Sequence, residues 1–173
     1  MSNEESRLSV LNSYDILDTP AASEFDDIAY LACRTCKAPI GLVGFIAPDR
    51  QWFKARSGFA SPEIPLSQSV CAIAVGSGRD LFVVPDLTED PLTRNNPLVT
   101  GALGVRYYAG AILRTTQGAA LGTVCVYDTA RRDGLAAEEA TSLQALARLT
   151  MILLELHRAV GPDSGFADFG ALH

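Results

Sequence analysis

A chain of 173 residues with 48% hydrophobic content is long enough to bury one sizeable core, and a net charge of −6 without a lysine- or arginine-rich face argues against a nucleic-acid partner. No run of about 18 uncharged apolar residues and no charged-then-apolar leader occurs, so neither a membrane span nor a signal peptide is expected and the cytoplasm is the default location. The four cysteines lack framework spacing, which points to reduced thiols rather than disulfide staples.

In chain order, residues 2–17 predict a helix. Ser2 and Glu5 have capping-box spacing, and Leu8, Leu11, Tyr14 and Leu17 recur at intervals of three. Asp18-Thr19-Pro20 stops it, and Thr19 with Pro20 at the first helical position predicts a second helix whose inner stripe is Phe25, Ile28, Ala29, Ala32 and Cys36. Asp26 and Asp27 read as a solvated face, because consecutive helical positions point about 100° apart. Cys33 and Cys36 form a CxxC, but near a helix C-terminus, where the helix dipole disfavours thiolate, so they read as small apolar side chains rather than a redox or metal pair.

Pro39 breaks that helix. Residues 40–46 and 51–57 predict a hairpin whose second arm alternates Gln51, Phe53, Ala55 with Trp52, Lys54, Arg56, so that one face is expected to be wet and charged. Residues 59–65 read as a loop, after which Ser67 or Ser69 caps a short helix through Val75, ending at Gly76-Ser77-Gly78. Residues 81–84 are a short strand. Residues 87–104 contain Asp90-Pro91, Asn95-Asn96-Pro97 and Gly101 and are the longest stretch without strong periodicity, a pattern typical of functional or mobile loops.

Residues 106–128, RYYAGAILRTTQGAALGTVCVYD, read as two apolar strands joined by a loop ending at Gly118, and their small residues on both faces predict a central hairpin covered on both sides. The last helix, expected over 136–160, carries one stripe at Leu143, Leu146, Thr150 and Leu153 and a second at Leu149, Ile152, Leu156 and Val160, which is wider than one contact needs. The second stripe is expected to meet another subunit or to run on into an output domain. Residues 161–173 lack periodicity and are expected to be a flexible tail after a single domain over 1–160, and His157 and His173 receive no chemistry.

The closing hairpin resembles that of GAF domains, small-ligand sensor modules of bacterial signalling. RLSVLNSYDILDTP, FDDIAYLAC, PIGLVGFIAPDRQWFKARSG, SVCAIAV, VVPDLTEDP and NPLVTG extend the likeness in order over about 150 residues. The resemblance implies an α+β, PAS-related fold. A central antiparallel sheet of five or six strands would carry the terminal helices on one face, and short helices with a lid loop on the other. It also implies a pocket beneath residues 87–104.

Ligand-binding candidates are Trp52, Ser69, Cys71, Asp86, Asn96, Arg106, Tyr108 and Cys125. Trp52 sits where similar domains have RQWF, with covering the sheet edge as its structural role and lining the pocket mouth as its functional one. For Asn96, surface turn chemistry is an equal reading. Many similar domains carry FCAHAI where this chain has VCAIAV, so Ile73 replaces a histidine and no imidazole serves as proton donor or as metal or haem ligand there. No catalytic or metal-binding residue is assigned, and the cofactor is left unspecified.

The implied function is a non-catalytic sensory module binding an unidentified small molecule and signalling through its terminal helices as a homodimer, with a histidine kinase or diguanylate cyclase as output partner. Two alternatives stand beside it. Free methionine-R-sulfoxide reductases are GAF domains, and their GVCGTA segment resembles SVCAIA, which places Cys71 on a family cysteine; their catalytic cysteine lies in the lid, whereas residues 87–104 hold none, leaving Cys125 to face Cys71 across the cavity. The other alternative is a ligand-free dimerisation module. An NKFDE-type signature and a bilin-attachment cysteine are both missing, which disfavours cyclic nucleotides and bilins.

Overall fold

The computed structural model describes residues 3–161, so the expected tail falls outside the described residues apart from Gly161. Its frame is a six-stranded antiparallel sheet in the order β3-β2-β1-β6-β5-β4. These strands are β1 (Ile40–Ile46), β2 (Arg50–Ser57), β3 (Glu63–Pro65), β4 (Leu81–Val84), β5 (Tyr107–Arg114) and β6 (Ala120–Asp128). The two long hairpins, β1-β2 and β5-β6, join side by side through β1 and β6, with Val43 opposite Val124 and Leu42 opposite Cys125. The β5-β6 ribbon is buried along almost its whole length, as the small residues on both its faces require.

Period-two alternation sends successive side chains to two separate cores. Val43, Phe45, Tyr107, Ala109, Val124 and Val126 face three helices, α1 (Asn3–Asn12), α2 (Ser23–Cys36) and α5 (Ala137–Val160). Ile40, Leu42, Tyr108, Cys125 and Tyr127 face the opposite way, toward α3 (Val70–Gly76), α4 (Pro97–Thr100) and the segment 87–104. Helix α2 buries Phe25, Ile28, Ala29, Ala32 and Cys36, the stripe expected from sequence, and leaves Asp26 and Asp27 exposed. Each large side chain in such a stripe contributes about 1.5–3 kcal/mol by leaving water. On α5, Leu143, Leu146 and Thr150 turn inward as expected, with Leu154 rather than the only partly buried Leu153 completing the stripe, whereas Leu149, Ile152, Leu156 and Val160 stand exposed.

Several boundaries differ from the sequence expectation. Helix α1 ends at Asn12 rather than 17, because Asp15 and Asp18 adopt positive φ and turn the chain. Helix α2 starts at Ser23 with Ala22 as its N-cap, not at Pro20. Thr19 is engaged elsewhere: its hydroxyl donates to the Ile16 carbonyl at 2.6 Å and accepts from Lys54 Nζ at 2.9 Å. Strand β3 forms within the stretch expected to be loop, pairing Arg50 with Pro65 and Trp52 with Glu63; Pro65, which has no N–H to donate, is tolerated because β3 is an edge strand.

The expected wet face of β2 is also corrected. The β1-β2 register passes from Val43 opposite Ala55 to Gly44 opposite Phe53, so Lys54 is the extra residue of a β-bulge and the alternation breaks there. Trp52, Lys54 and Ala55 are buried beneath α2, and only Arg56 of the charged set is exposed. The Lys54 ammonium is satisfied by Thr19 Oγ1 and the Pro20 carbonyl and lies 5.4 Å from the Phe25 ring centroid. A buried arginine does similar work at the other end of the sheet: Arg7 donates to the carbonyls of Ile46 and Ala120 and so clamps α1 across the ends of β1 and β6.

Candidate functional site

Two features lie side by side on the sheet face opposite α1, α2 and α5: an apolar cavity and a nest of buried polar side chains. The cavity holds about 10 Å³, room for about one water. Ile40, Leu42, Phe53, Ile64 and Tyr127 of the sheet form its floor, and Phe59, Leu98, Leu103 and Val105 form its sides and roof. Segment 87–104 therefore closes over the sheet as the sequence resemblance implies, with α4 as its ordered part.

The nest is built from α3 downward. Ser69 caps α3 by accepting from Ala72 N at 3.0 Å, and its hydroxyl donates to Gln51 Oε1 at 2.6 Å. This cap fixes Cys71, in the first turn of α3, directly over β5 and β6. Tyr108 OH and Thr123 Oγ1 each donate to Cys71 Sγ at 3.1 Å, and Cys125 Sγ lies 3.6 Å from it. All these side chains are buried. Two further donors, Gln51 Nε2 and Tyr127 OH, are buried close to the sulfur but meet hydrogen-bond geometry with no partner among the described residues. An unpaired buried donor costs about 1–3 kcal/mol, and the acceptor near both of these is the Cys71 sulfur, which they approach outside strict hydrogen-bond geometry.

Burial pushes the Cys71 thiol up, but the hydrogen bonds from Cys125, Thr123 and Tyr108 outweigh it and bring the thiol below its ordinary value. Burial and the neighbouring Cys71 push Cys125 well above the ordinary thiol range. The two sulfurs are thus unequal, the hydroxyl donors of Tyr108 and Thr123 both being directed to Cys71.

Of the residues singled out from sequence, Ser69, Cys71, Tyr108 and Cys125 come together in this nest. The other four do not. Trp52 faces the helix-side core, across the sheet from the cavity. Asp86 forms an Asx-type turn, accepting from Thr88 N and Oγ1, and those bonds hold its carboxyl below the usual range. Asn96 caps α4 by accepting from Leu98 N and donates to the Gln68 carbonyl at 2.9 Å. Arg106 donates to the carbonyls of Val99 and Val105, bracing the lid from within. Sequence reading missed Gln51, Thr123 and Tyr127. Gln51 and Thr123 are uncharged polar residues inside apolar strands, and that alone was the available signal.

Cys33 and Cys36 lie at the C-terminal end of α2, and burial pushes the Cys36 thiol up to about 11. Among the described residues no group of three or more His, Cys, Asp or Glu side chains is placed to hold a metal ion, and no helix is long and apolar enough to cross a membrane.

A six-stranded antiparallel sheet with long helices on one face, and short helices, a lid and a cavity on the other, defines an α+β domain of the kind built around a central pocket. The chain belongs to the GAF domain family, whose model matches residues 21–154. It is 36% identical over 157 residues to a cyclic di-GMP phosphodiesterase of Pseudomonas aeruginosa, a match covering 91% of this chain and 27% of that relative, so the chain spans about a quarter of the relative's length. Among solved structures it is similar to the GAF domain of an Acinetobacter phosphoenolpyruvate-protein phosphotransferase, at TM-score 0.66 and 14% identity, covering 93% of this chain and 98% of that one. It is also similar to a free methionine-R-sulfoxide reductase of Neisseria meningitidis, at TM-score 0.65 and 18% identity, covering 91% and 89%. At these identities the structural likenesses establish the fold and not the chemistry.

Proposed function

We propose that this domain is a non-catalytic regulatory module that takes a small molecule between the sheet and the lid and passes the change to α1 and α5 in a homodimer. The apolar cavity under Leu98, Leu103 and Val105 carries the reading. Its small volume means that a metabolite-sized guest enters only by lifting segment 87–104. The lid is held by Leu87 and Val99, buried in the core on its own side of the sheet, and by the polar bonds of Asn96 and Arg106, so lifting it leaves the helix-side core intact. The exposed stripe Leu149, Ile152, Leu156 and Val160 supplies the surface through which two copies pair, and α5 leads from there toward an output unit. The cyclic di-GMP phosphodiesterase relative supports an enzyme of cyclic di-GMP as the output partner, and a histidine kinase is the other output that the reading allows. Residues 87–104 contain no cysteine, which favours regulation over sulfoxide reduction.

The test is thermal unfolding of the purified domain with a panel of metabolites, nucleotides and tetrapyrroles. A ligand present at 100 times its Kd adds about 2.7 kcal/mol and raises Tm measurably. No shift from any of them would leave a second reading, which the smallness of the cavity favours: a dimerisation module with a closed pocket. Sedimentation equilibrium tests the pairing that both readings share, and the ligand panel is what separates them.

A further inference from the structure

We propose that Cys71 and Cys125 form a peroxide-responsive dithiol, in which Cys71 is the attacking sulfur, Cys125 the resolving sulfur, and hydrogen peroxide the oxidant. The site is independent of any ligand under the lid.

The geometry has three parts. The two sulfurs are 3.6 Å apart, so a disulfide of about 2.0 Å needs only a small approach of α3 toward β6. Tyr108 OH and Thr123 Oγ1 donate to Cys71 Sγ and stabilise it as thiolate. Gln51 Nε2 and Tyr127 OH are buried donors outside strict hydrogen-bond geometry that lie close enough to the same sulfur to act on it. They add two further donors around the Cys71 sulfur, the atom that carries the negative charge before it attacks. Tyr127 also lines the neighbouring apolar cavity.

The chemistry closes without a further reactant. The Cys71 thiolate attacks one peroxide oxygen, the O–O bond breaks, and the departing hydroxide takes a proton to become water. The Cys125 sulfur then attacks the Cys71 sulfenic acid, an S–S bond forms, the S–O bond breaks, and a second water leaves with the Cys125 proton. Two thiols lose two electrons and the peroxide gains them. The shift of α3 reaches the lid through the bond between the Gln68 carbonyl, just before α3, and Asn96. Cys33 and Cys36 sit on the other side of the sheet, in the last turn of α2, and serve as internal controls.

The experiment uses the fully reduced protein, freed of reductant, exposed to hydrogen peroxide near neutral pH and then denatured in N-ethylmaleimide. The expected product carries maleimide on two of its four cysteines, with a peptide linking Cys71 to Cys125. Maleimide on all four, a link involving Cys33 or Cys36, or oxygen accumulating on Cys71 without a link would each overturn the proposal. In Cys125→Ser, dimedone is expected to trap a sulfenic acid at Cys71, and its absence in folded variant counts against Cys71 as the attacking sulfur. Thr123→Val removes one of the two hydroxyl donors to the Cys71 sulfur and is expected to slow oxidation several-fold; an unchanged rate would remove the thiolate from the mechanism. The wild-type mass measurement stands if either variant fails to fold.

Discussion

Asn96 Nδ2 donates to the Gln68 carbonyl at 2.9 Å, and through that bond the lid is fastened to the residues that lead into α3. The same side chain accepts from Leu98 N, so a single residue both starts α4 and secures it. Replacing Asn96 with alanine removes a helix cap and a partly buried side-chain bond. We expect Asn96→Ala to cost about 1–2 kcal/mol in urea unfolding. Amide exchange over residues 87–104 should speed up while that of β5 and β6 changes little. Equal acceleration everywhere would show that the lid does not open separately from the core.

Gly122 lies where β6 meets β1, and a Cβ there would run into the Gly44 carbonyl oxygen and the Phe45 Cα. The obstruction is backbone and cannot rotate away. Gly122→Ala is expected to destabilise the domain by roughly 3 kcal/mol or more, or to prevent folding. Gly76, at the end of α3, meets nothing within 4 Å. Gly76→Ala should instead stabilise by about 0.5–1 kcal/mol through reduced chain entropy. Circular dichroism melts of the pair check both signs.

Ile152 is 62% exposed in the middle of the outward stripe of α5. Since it touches little within its own chain, Ile152→Glu should change monomer stability by no more than about 0.5 kcal/mol. Under the proposed pairing, sedimentation equilibrium is expected to show a dimer for the unaltered chain and a monomer for this variant. A variant that remains dimeric would place the dimer contact elsewhere.

Acid should unfold the domain through its paired carboxylates. Arg7 holds Glu4, and Arg50 holds Asp18, below the usual carboxylate range; Asp128, despite the upward push of partial burial, is held low by Arg132. A folded-state value below the unfolded one means that the unfolded chain binds more protons, so stability rises with pH. This contribution is complete above the ordinary carboxylate values and is lost as pH falls through the lower folded ones. Asp26, pushed up by burial, acts with the opposite sign. Urea midpoints are expected to stay level from pH 7 to about pH 5 and to fall steeply below about pH 4. Arg50→Gln, which removes the partner of Asp18, should make that fall shallower.

Wherever a segment's structure depends on its own periodicity and punctuation, the amino-acid order determined the outcome. Pro39 and the turn after Ala47 bound β1, Ser69 caps α3, and α2 hides the stripe of Phe25, Ile28, Ala29, Ala32 and Cys36. The unmatched stripe from Leu149 to Val160 was likewise legible, because helical spacing alone shows that one contact cannot cover it. The bulge at Lys54 was not, since register depends on the opposing strand and nothing in β2 itself marks the extra residue.

The polar nest was legible only in part. Ser69, Cys71, Tyr108 and Cys125 drew attention as residues, but their meeting with Gln51 and Thr123 depends on β1 pairing with β6 and on α3 lying across that junction. Trp52 and Lys54 carried the appearance of a solvated edge until α2 covered them. Local sequence sets which face of an element is apolar. Which distant faces then meet is settled by packing the whole chain, and the pairing of two sulfurs more than 50 positions apart belongs to that second step.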